Sequence, residues 1–396
     1  MTPAARVQTA IELLDRIVEA ARAKAAPADR ILAEWFRNNR FAGSKDRRAI
    51  RELVYAAIRA CGPVPASGRA AMLRLAETDP AIVPLFDGSN YGAAPITEGE
   101  PVAEGGVAPS WLIARLAASG VEGGEAEALL DRAPLDLRVN TLKAERATVT
   151  LPETAEPTAA PHGLRLATGT PVEQWPAFRA GEIEVQDTGS QLACLAVGAQ
   201  PGETVIDLCA GGGGKTLALA AAMDNQGRLI ASDTDRNRLS RLAPRAERAG
   251  AAHIATILLN PQREMEALAD FAGQADAVLV DAPCSGTGTW RRNPEARWRL
   301  DEQELSRLTT LQAYLLDVAA QMVKPGGRII YVTCSLLDEE GAGQFDALLA
   351  RHPDLQPRAL ALPLGRPRGQ GIRLSPGPDS TDGFFIACAA RVQAAA

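Results

Sequence analysis

The sequence predicts an α/β fold: a mostly parallel, doubly wound sheet covered on both faces, preceded by an all-helical domain and a small α+β linker. Three observations carry this. From residue 185 on, short apolar runs at 204–208, 228–232, 254–259, 277–280 and 328–332 alternate with helical patterns at 215–223, 235–249, 302–323 and 339–351; that rhythm belongs to repeated βα units. A glycine-rich turn follows the first of these runs and opens a helix. The first third of the chain, by contrast, holds apolar residues only at helical spacing. The expected domains are 1–133, 134–184 and 185–396.

In the first domain, Val7, Ile11, Leu14, Ile17 and Val18 mark one helix face, Ile31, Leu32, Trp35 and Phe36 a second, and Ile50, Leu53, Val54, Ala57 and Ile58 a third. Ser44 is placed to cap the third. Shorter helical patterns fall at 67–77, 109–119 and 124–132, and the Gly-, Pro- and acid-rich stretch 86–109 reads as a long exposed loop. The linker begins with an alternating strand, Leu137 to Leu142, followed by a Pro/Thr-rich stretch at 152–161. Segments 371–374 and 383–390 add a terminal hairpin.

The chain has 396 residues, 46% of them hydrophobic, enough for several domains with a sizeable core. Its six cysteines show no CxxC pair and its three histidines sit in no polar signature, which argues against a disulfide framework, a zinc site or a Ser-His-Asp triad. No metal is expected. The amphipathic start carries Glu12, Asp15 and Glu19, unlike a targeting peptide, and no apolar run reaches membrane-spanning length. A cytoplasmic, monomeric protein is expected. Net charge is −6, which by itself counts against a nucleic-acid partner. Two local clusters say otherwise. Residues 30–51 hold Arg37, Arg40, Lys45, Arg47, Arg48 and Arg51, and 290–299 interleave arginine with tryptophan. The first reads equally as a solvated helix face; the second offers phosphate partners and stacking surfaces, with Arg292 and Trp298 at its centre.

The turn Cys209-Ala210-Gly211-Gly212-Gly213-Gly214-Lys215-Thr216 lets a ligand approach the backbone at a positive helix end. Cys209 stands where a phosphate loop requires glycine, which disfavours a nucleoside triphosphatase. Asp233, at the end of the next strand, suits the two hydroxyls of a ribose; the bland alternative is a helix cap. Loop and carboxylate fit S-adenosylmethionine as well as a dinucleotide. The cysteines decide. Cys284 closes Val280-Asp281-Ala282-Pro283-Cys284 and Cys334 closes Val332-Thr333-Cys334, each at a strand end. Carbon 5 of cytosine is a poor nucleophile until a thiolate adds to carbon 6. Methylation there therefore needs an activated cysteine, a carboxyl group near N3 and N4, and a route for elimination. Cys334, Asp281 and Cys284 are the right types, although the residues alone do not say which cysteine does what.

These motifs resemble those of the Nop/Sun family of RNA cytosine-5 methyltransferases, especially bacterial members acting on small-subunit ribosomal RNA. The resemblance runs from about Leu137 to Val392 through Val185-Gln186-Asp187, the 209–216 loop, Asp281-Ala282-Pro283-Cys284-Ser285-Gly286-Thr287-Gly288, Arg292-Asn293-Pro294…Trp298, Thr333-Cys334-Ser335 and Asp382-Gly383-Phe384-Phe385. It implies a Rossmann-like class I methyltransferase sheet, S-adenosylmethionine as cofactor, Cys334 as nucleophile, Cys284 as the residue assisting release, and Asp281 at the target cytosine. The implied cofactor set is Cys209 to Lys215, Asp233, Asn260 and Asp281. The helical domain is similar to NusB-like RNA-binding domains through Lys45-Asp46-Arg47-Arg48…Leu53-Val54-Tyr55, which implies RNA contacts at Arg47 and Arg48. Two departures stand out. Gly211-Gly212 replace the family's Ala-Pro, predicting a looser loop and weaker cofactor binding. Asn260-Pro261 fall where the family often has an aspartate near the adenine. Ribosomal RNA is the favoured partner; transfer RNA, or a catalytically silent RNA-binding or assembly role, are the rivals. The two cysteines and Asp281 argue against the silent reading.

Overall fold

A computed structural model describes residues 1–393 in two compact units; Ala394–Ala396, the end of the third expected domain, lie outside the described residues. The first unit comprises Met1–Asp131 together with Thr289–Glu302, and the second Arg132–Gly288 with Gln303–Ala396. Segment 289–302 was expected in the third domain. Its inclusion in the first unit is a correction.

The first unit is built on four helices: α1 (Pro3–Arg22), α2 (Ala28–Asn38), α3 (Ser44–Ala60) and α4 (Gly68–Thr78). Thr2 caps α1 by accepting the Ala5 amide at 3.2 Å, with Pro3 opening the helix. Gly43, not Ser44, occupies the cap position of α3. Helices α1 and α4 approach so closely that a Cβ at Gly68 would lie 2.1 Å from the Ile11 carbonyl. The helical stripes read from the sequence meet in one core, where Leu14, Ile17, Leu32, Ile50, Ile58 and Met72 are fully buried. Each such side chain contributes about 1.5–3 kcal/mol.

Segment 289–302 completes this core. Trp298 is 4% exposed and donates its indole N–H to the Gly62 carbonyl at 3.2 Å. Arg297, fully buried, donates to the carbonyls of Ile58 and Cys61 at 2.7 Å each and to that of Pro294. It thereby satisfies carbonyls at the C-terminal end of α3 that a helix leaves without partners. Glu295 accepts the Ala28 amide at the start of α2 at 3.1 Å, and Arg299 donates to the carbonyls of Ala25 and Ala26 at 2.9 and 2.6 Å. One short segment thus closes the ends of two helices.

The second unit holds two sheets. The smaller has strands β1 (Leu135–Val139), β2 (Glu156–Pro157), β3 (Gly163–Leu166) and β4 (Ile183–Val185) in the antiparallel order β2-β3-β1-β4. It packs on its own cluster of Leu137, Val139, Leu164, Leu166, Trp175 and Ile183. The larger sheet contains β5 (Thr204–Asp207), β6 (Arg228–Asp233), β7 (Ile254–Leu258), β8 (Ala275–Asp281), β9 (Val323–Thr333), β10 (Leu355–Arg358), β11 (Arg366–Arg368), β12 (Gly371–Leu374) and β13 (Phe384–Arg391). Its order is β11-β12-β13-β9-β8-β5-β6-β7, with β10 beside β13. Strands β5 to β9 pair in parallel; β13 joins β9 and β12 antiparallel, forming the expected terminal hairpin.

Both faces of the large sheet are buried, with the alternation a covered sheet requires. Val205, Ala277, Leu279, Ile330 and Val332 enter one core; Ile206, Val278, Val280, Ile329 and Tyr331 enter the other. The expected helix 235–249 is interrupted, forming Arg236–Leu239 and Leu242–Ala249. No helix among the described residues is long and apolar enough to cross a membrane.

Candidate active site

In the large sheet, β5 lies between β6 and β8, so the strand order reverses there. Ligands in such sheets bind beyond the carboxyl ends of the strands at this switch point. A cavity of about 400 Å³ occupies that place, lined by Cys209, Asp233, Asp235, Arg238, Glu264, Asp281, Cys284 and Cys334 and floored by leucines 208, 259, 311 and 315.

The glycine loop bends through Gly211 (φ +53°) and Gly213 (φ +82°) into the helix Gly214–Ala222. A Cβ at Gly213 would meet Leu242 at 2.2 Å, so glycine is required there for both conformation and space. The loop is tied down on two sides. The Gly211 amide donates to Asp233 Oδ2 at 2.8 Å, and Arg245 donates to the Gly212 carbonyl at 2.5 Å while pairing with Glu184 at 3.0 Å. Asp233 also accepts the Asp235 amide on Oδ1 at 2.7 Å. The cap of the next helix is Asp235, which accepts the amides of Asn237 and Arg238. Asp233 is therefore not the helix cap, and it lines the cavity.

Lys215 donates to Asp281 Oδ2 at 2.7 Å. Burial disfavours the lysine's charge, but Asp281 and the neighbouring thiols more than offset it and hold its pKa above the ordinary value. Asp207, fully buried beneath the loop, is pushed up to about 7 by burial, and the charges of Asp281 and Asp233 add to the effect; the Thr216 hydroxyl, donating at 2.6 Å, works against it. Cys209 is pushed well up by burial and by the same carboxylates.

The two signature cysteines meet. Cys284 Sγ and Cys334 Sγ are 3.4 Å apart, both half-buried at the cavity edge. The thiol of Cys284 is pushed well up, first by the contact with Cys334, then by burial, and further by the charge of Glu340. The loops carrying the cysteines are joined by backbone: the Gly288 amide donates to the Cys334 carbonyl at 2.9 Å, and the Gly383 amide to the Gly288 carbonyl at 2.8 Å. A Cβ at Gly288 would lie 2.2 Å from the Gly383 carbonyl, which explains glycine in both the Gly-Thr-Gly and Asp-Gly-Phe-Phe signatures. Asp187, which caps the helix Thr188–Val197, also accepts the Asp382 amide at 3.1 Å. The two cysteine motifs, the Gly-Thr-Gly and Asp-Gly-Phe-Phe signatures and Asp187 are thus one assembly at one sheet edge.

Other expected residues lie elsewhere. Asn260 is exposed in the turn after β7, and the acidic residue that reaches the cavity from beyond that strand is Glu264. Glu264 is 1% exposed and accepts the Tyr314 hydroxyl at 2.6 Å and the Gln262 amide at 3.1 Å. Nothing in its sequence neighbourhood marks it out. Arg48 is exposed on α3; Arg47 is half-buried, 5.8 Å from the Phe36 ring, and donates to the Ala42 carbonyl. Arg292 is half-buried, whereas Trp298 and Trp290 are buried in the first unit. The expectation that these tryptophans offer stacking surfaces is therefore corrected. Their rings are enclosed because the segment serves as core. No cluster of metal-ligating side chains occurs among the described residues.

Comparison with known proteins is consistent with this geometry. Residues 194–389 match the family model for 16S rRNA methyltransferase RsmB/F. The ribosomal RNA small subunit methyltransferase B of Citrobacter koseri is 37% identical over 289 residues, covering 70% of this chain and 65% of that protein. Its counterpart from Xanthomonas campestris pv. campestris is 36% identical, covering 73% and 68%. The chain therefore spans about two thirds of the length of these relatives. The crystal structure of PH0851 superposes with a TM-score of 0.75 at 27% identity, covering 98% of this chain and 99% of that one. The chain belongs to the 16S rRNA methyltransferase RsmB/F family.

Proposed function

We propose that the protein uses S-adenosylmethionine to methylate carbon 5 of a cytosine in small-subunit ribosomal RNA, through a covalent adduct with Cys334. The observation that carries this reading is the pair of cysteine sulfurs 3.4 Å apart at the rim of a cavity whose wall holds Asp233 and Asp281.

The residues fit such a cofactor. Asp233 accepts one backbone amide on each oxygen and retains acceptor capacity for two ribose hydroxyls. The start of the helix at Gly214 is open: beyond its chain neighbours and its own helix, no atom lies within 4 Å of the place a Cβ would take. Glu264 brings a buried carboxylate to the same cavity, suited to an exocyclic amino group. When bound, S-adenosylmethionine supplies a methyl group on a positively charged sulfur.

The chain's own residues supply the rest. The Cys334 thiolate forms a bond to carbon 6, and the ring's electrons move so that carbon 5 becomes nucleophilic. Asp281, with Oδ2 engaged by Lys215, offers its other oxygen to the N4 amino group and so holds the ring as charge develops. After methylation a water reaching the open cavity takes the carbon 5 proton, the electrons of that bond restore the double bond between carbons 5 and 6, and the bond to Cys334 breaks to restore its thiolate. Cys284, in contact with that sulfur, is the residue placed to assist this release.

The test is transfer of labelled methyl from S-adenosylmethionine to unmodified total RNA and to ribosomal subunits, followed by sequencing. Label at one cytosine of small-subunit RNA is expected, and Cys334→Ser is expected to abolish it. Label confined to transfer RNA overturns the substrate; no label on any RNA sinks the catalytic reading and leaves an RNA-binding protein.

A further inference from the structure

Glu340 is a fully buried carboxylate that the proposed chemistry does not use. It sits in the loop after β9, six residues beyond Cys334, and reaches back to the Cys284 loop. Its Oε1 accepts the Ser285 amide at 2.8 Å and the Gln312 side-chain N–H at 3.0 Å; its Oε2 accepts the Ser285 hydroxyl. Gln312 also donates to the Pro283 carbonyl at 2.9 Å, so the residues on both sides of Cys284 are held by one network. The Tyr331 hydroxyl fixes the Glu340 backbone by donating to its carbonyl at 2.7 Å. The three groups hydrogen-bonded to the carboxylate are all donors.

We propose that Glu340 is a positioning residue: its carboxylate fixes the Cys284 loop, and its negative charge holds the proton of the cysteine pair on Cys284, leaving Cys334 as the sulfur free to ionise. The inference rests on the methyltransferase reading for its use, but not for its test. The charged and titratable groups facing Cys284 are Cys334, Glu340 and the Tyr331 phenol, with Asp281 already paired to Lys215. A negative charge on Cys284 is opposed by the Glu340 carboxylate and by a Cys334 thiolate, while the Tyr331 phenol stays neutral. When the pair loses one proton to solvent through the cavity, the proton that remains stays on Cys284, whose S–H donates a hydrogen bond across the 3.4 Å contact to the Cys334 thiolate. The lone pair so left on Cys334 is the one that bonds to carbon 6.

The experiment is brief iodoacetamide labelling of the full-length protein at pH 8, with the label on each cysteine peptide measured by mass spectrometry. Label on Cys334 is expected to exceed that on Cys284. Glu340→Gln, which keeps the length of the side chain and removes its charge, is expected to lower the Cys334-to-Cys284 ratio about tenfold, the effect of roughly one pKa unit. Glu340→Asp, which keeps the charge, is expected to restore most of the ratio; a merely structural brace predicts the opposite ranking. A folded Glu340→Gln protein with an unchanged ratio overturns the proposal. Should that variant fail to fold, the pH profile of Cys284 labelling in Cys334→Ser decides. Inflection above the ordinary thiol value of about 8.5 supports the proposal, and inflection at or below it overturns it. Labelling needs neither RNA nor methyl donor, so its failure is distinguishable from failure of the methyltransferase reading.

Discussion

Residues 37–51 and 290–299 are nearly interchangeable as text, both rich in arginine and adjacent to aromatic side chains. In the fold they are opposites. Arg48 on α3 is exposed, and Arg47 lies half-buried along the Phe36 ring. Arg297 and Trp298 are enclosed, with the guanidinium spent on main-chain carbonyls of α3 and the indole on Gly62. The lesson concerns arginine. A guanidinium has five donors and a long apolar stem, so it serves as well to close a buried helix end as to meet a phosphate. Composition alone does not separate the two uses; what separates them is whether backbone carbonyls stand within reach.

Mutations sharpen this contrast. Trp298→Ala is expected to have the largest effect, destabilising the protein by about 3–5 kcal/mol through the cavity left in the helical core. Thermal unfolding measures it, and a variant that keeps its midpoint but loses RNA affinity would return Trp298 to the RNA surface. Arg297→Met keeps much of the volume but strips donors from the carbonyls of Ile58 and Cys61, for a cost of about 2–4 kcal/mol in denaturant unfolding. Reversing charge at Arg47 and Arg48 is expected to do the converse. Stability changes by about 1 kcal/mol or less, while RNA affinity at low salt falls and the salt dependence flattens by about two phosphate contacts. Unchanged affinity at low salt removes that face from the RNA-binding surface. Gly212→Pro is expected to matter least. Arg245 already clamps the Gly212 carbonyl, so S-adenosylmethionine affinity measured by calorimetry should rise by no more than about fivefold, the value of one restricted residue.

The sheet was legible because strands such as β8 and β9 carry short apolar runs ended by polar signatures, a pattern local in sequence. The meeting of Cys284 and Cys334 was likewise legible, since strand ends of one parallel sheet share an edge. What the sequence concealed are partners brought together over long separations. Glu264 reaches the cavity from beyond β7 while the motif-bearing Asn260 is exposed. Glu340 braces a loop 55 residues away in the chain. None of these has a local signature, because hydrogen bonds across a fold depend on geometry rather than spacing. The segment 289–302 is the extreme case, since its residue types favoured the wrong surroundings.

That segment also orders events during synthesis. The N-terminal helices emerge first, yet Trp298 and Arg297, which fill their core and close α3, are made about 170 residues after Asp131. At roughly 5–20 residues per second, the interval is on the order of ten to thirty seconds. During that interval the nascent helical bundle has an open apolar slot and uncapped carbonyls. The helical domain thus closes only after the ribosome has delivered four of the large sheet's nine described strands, β5 to β8.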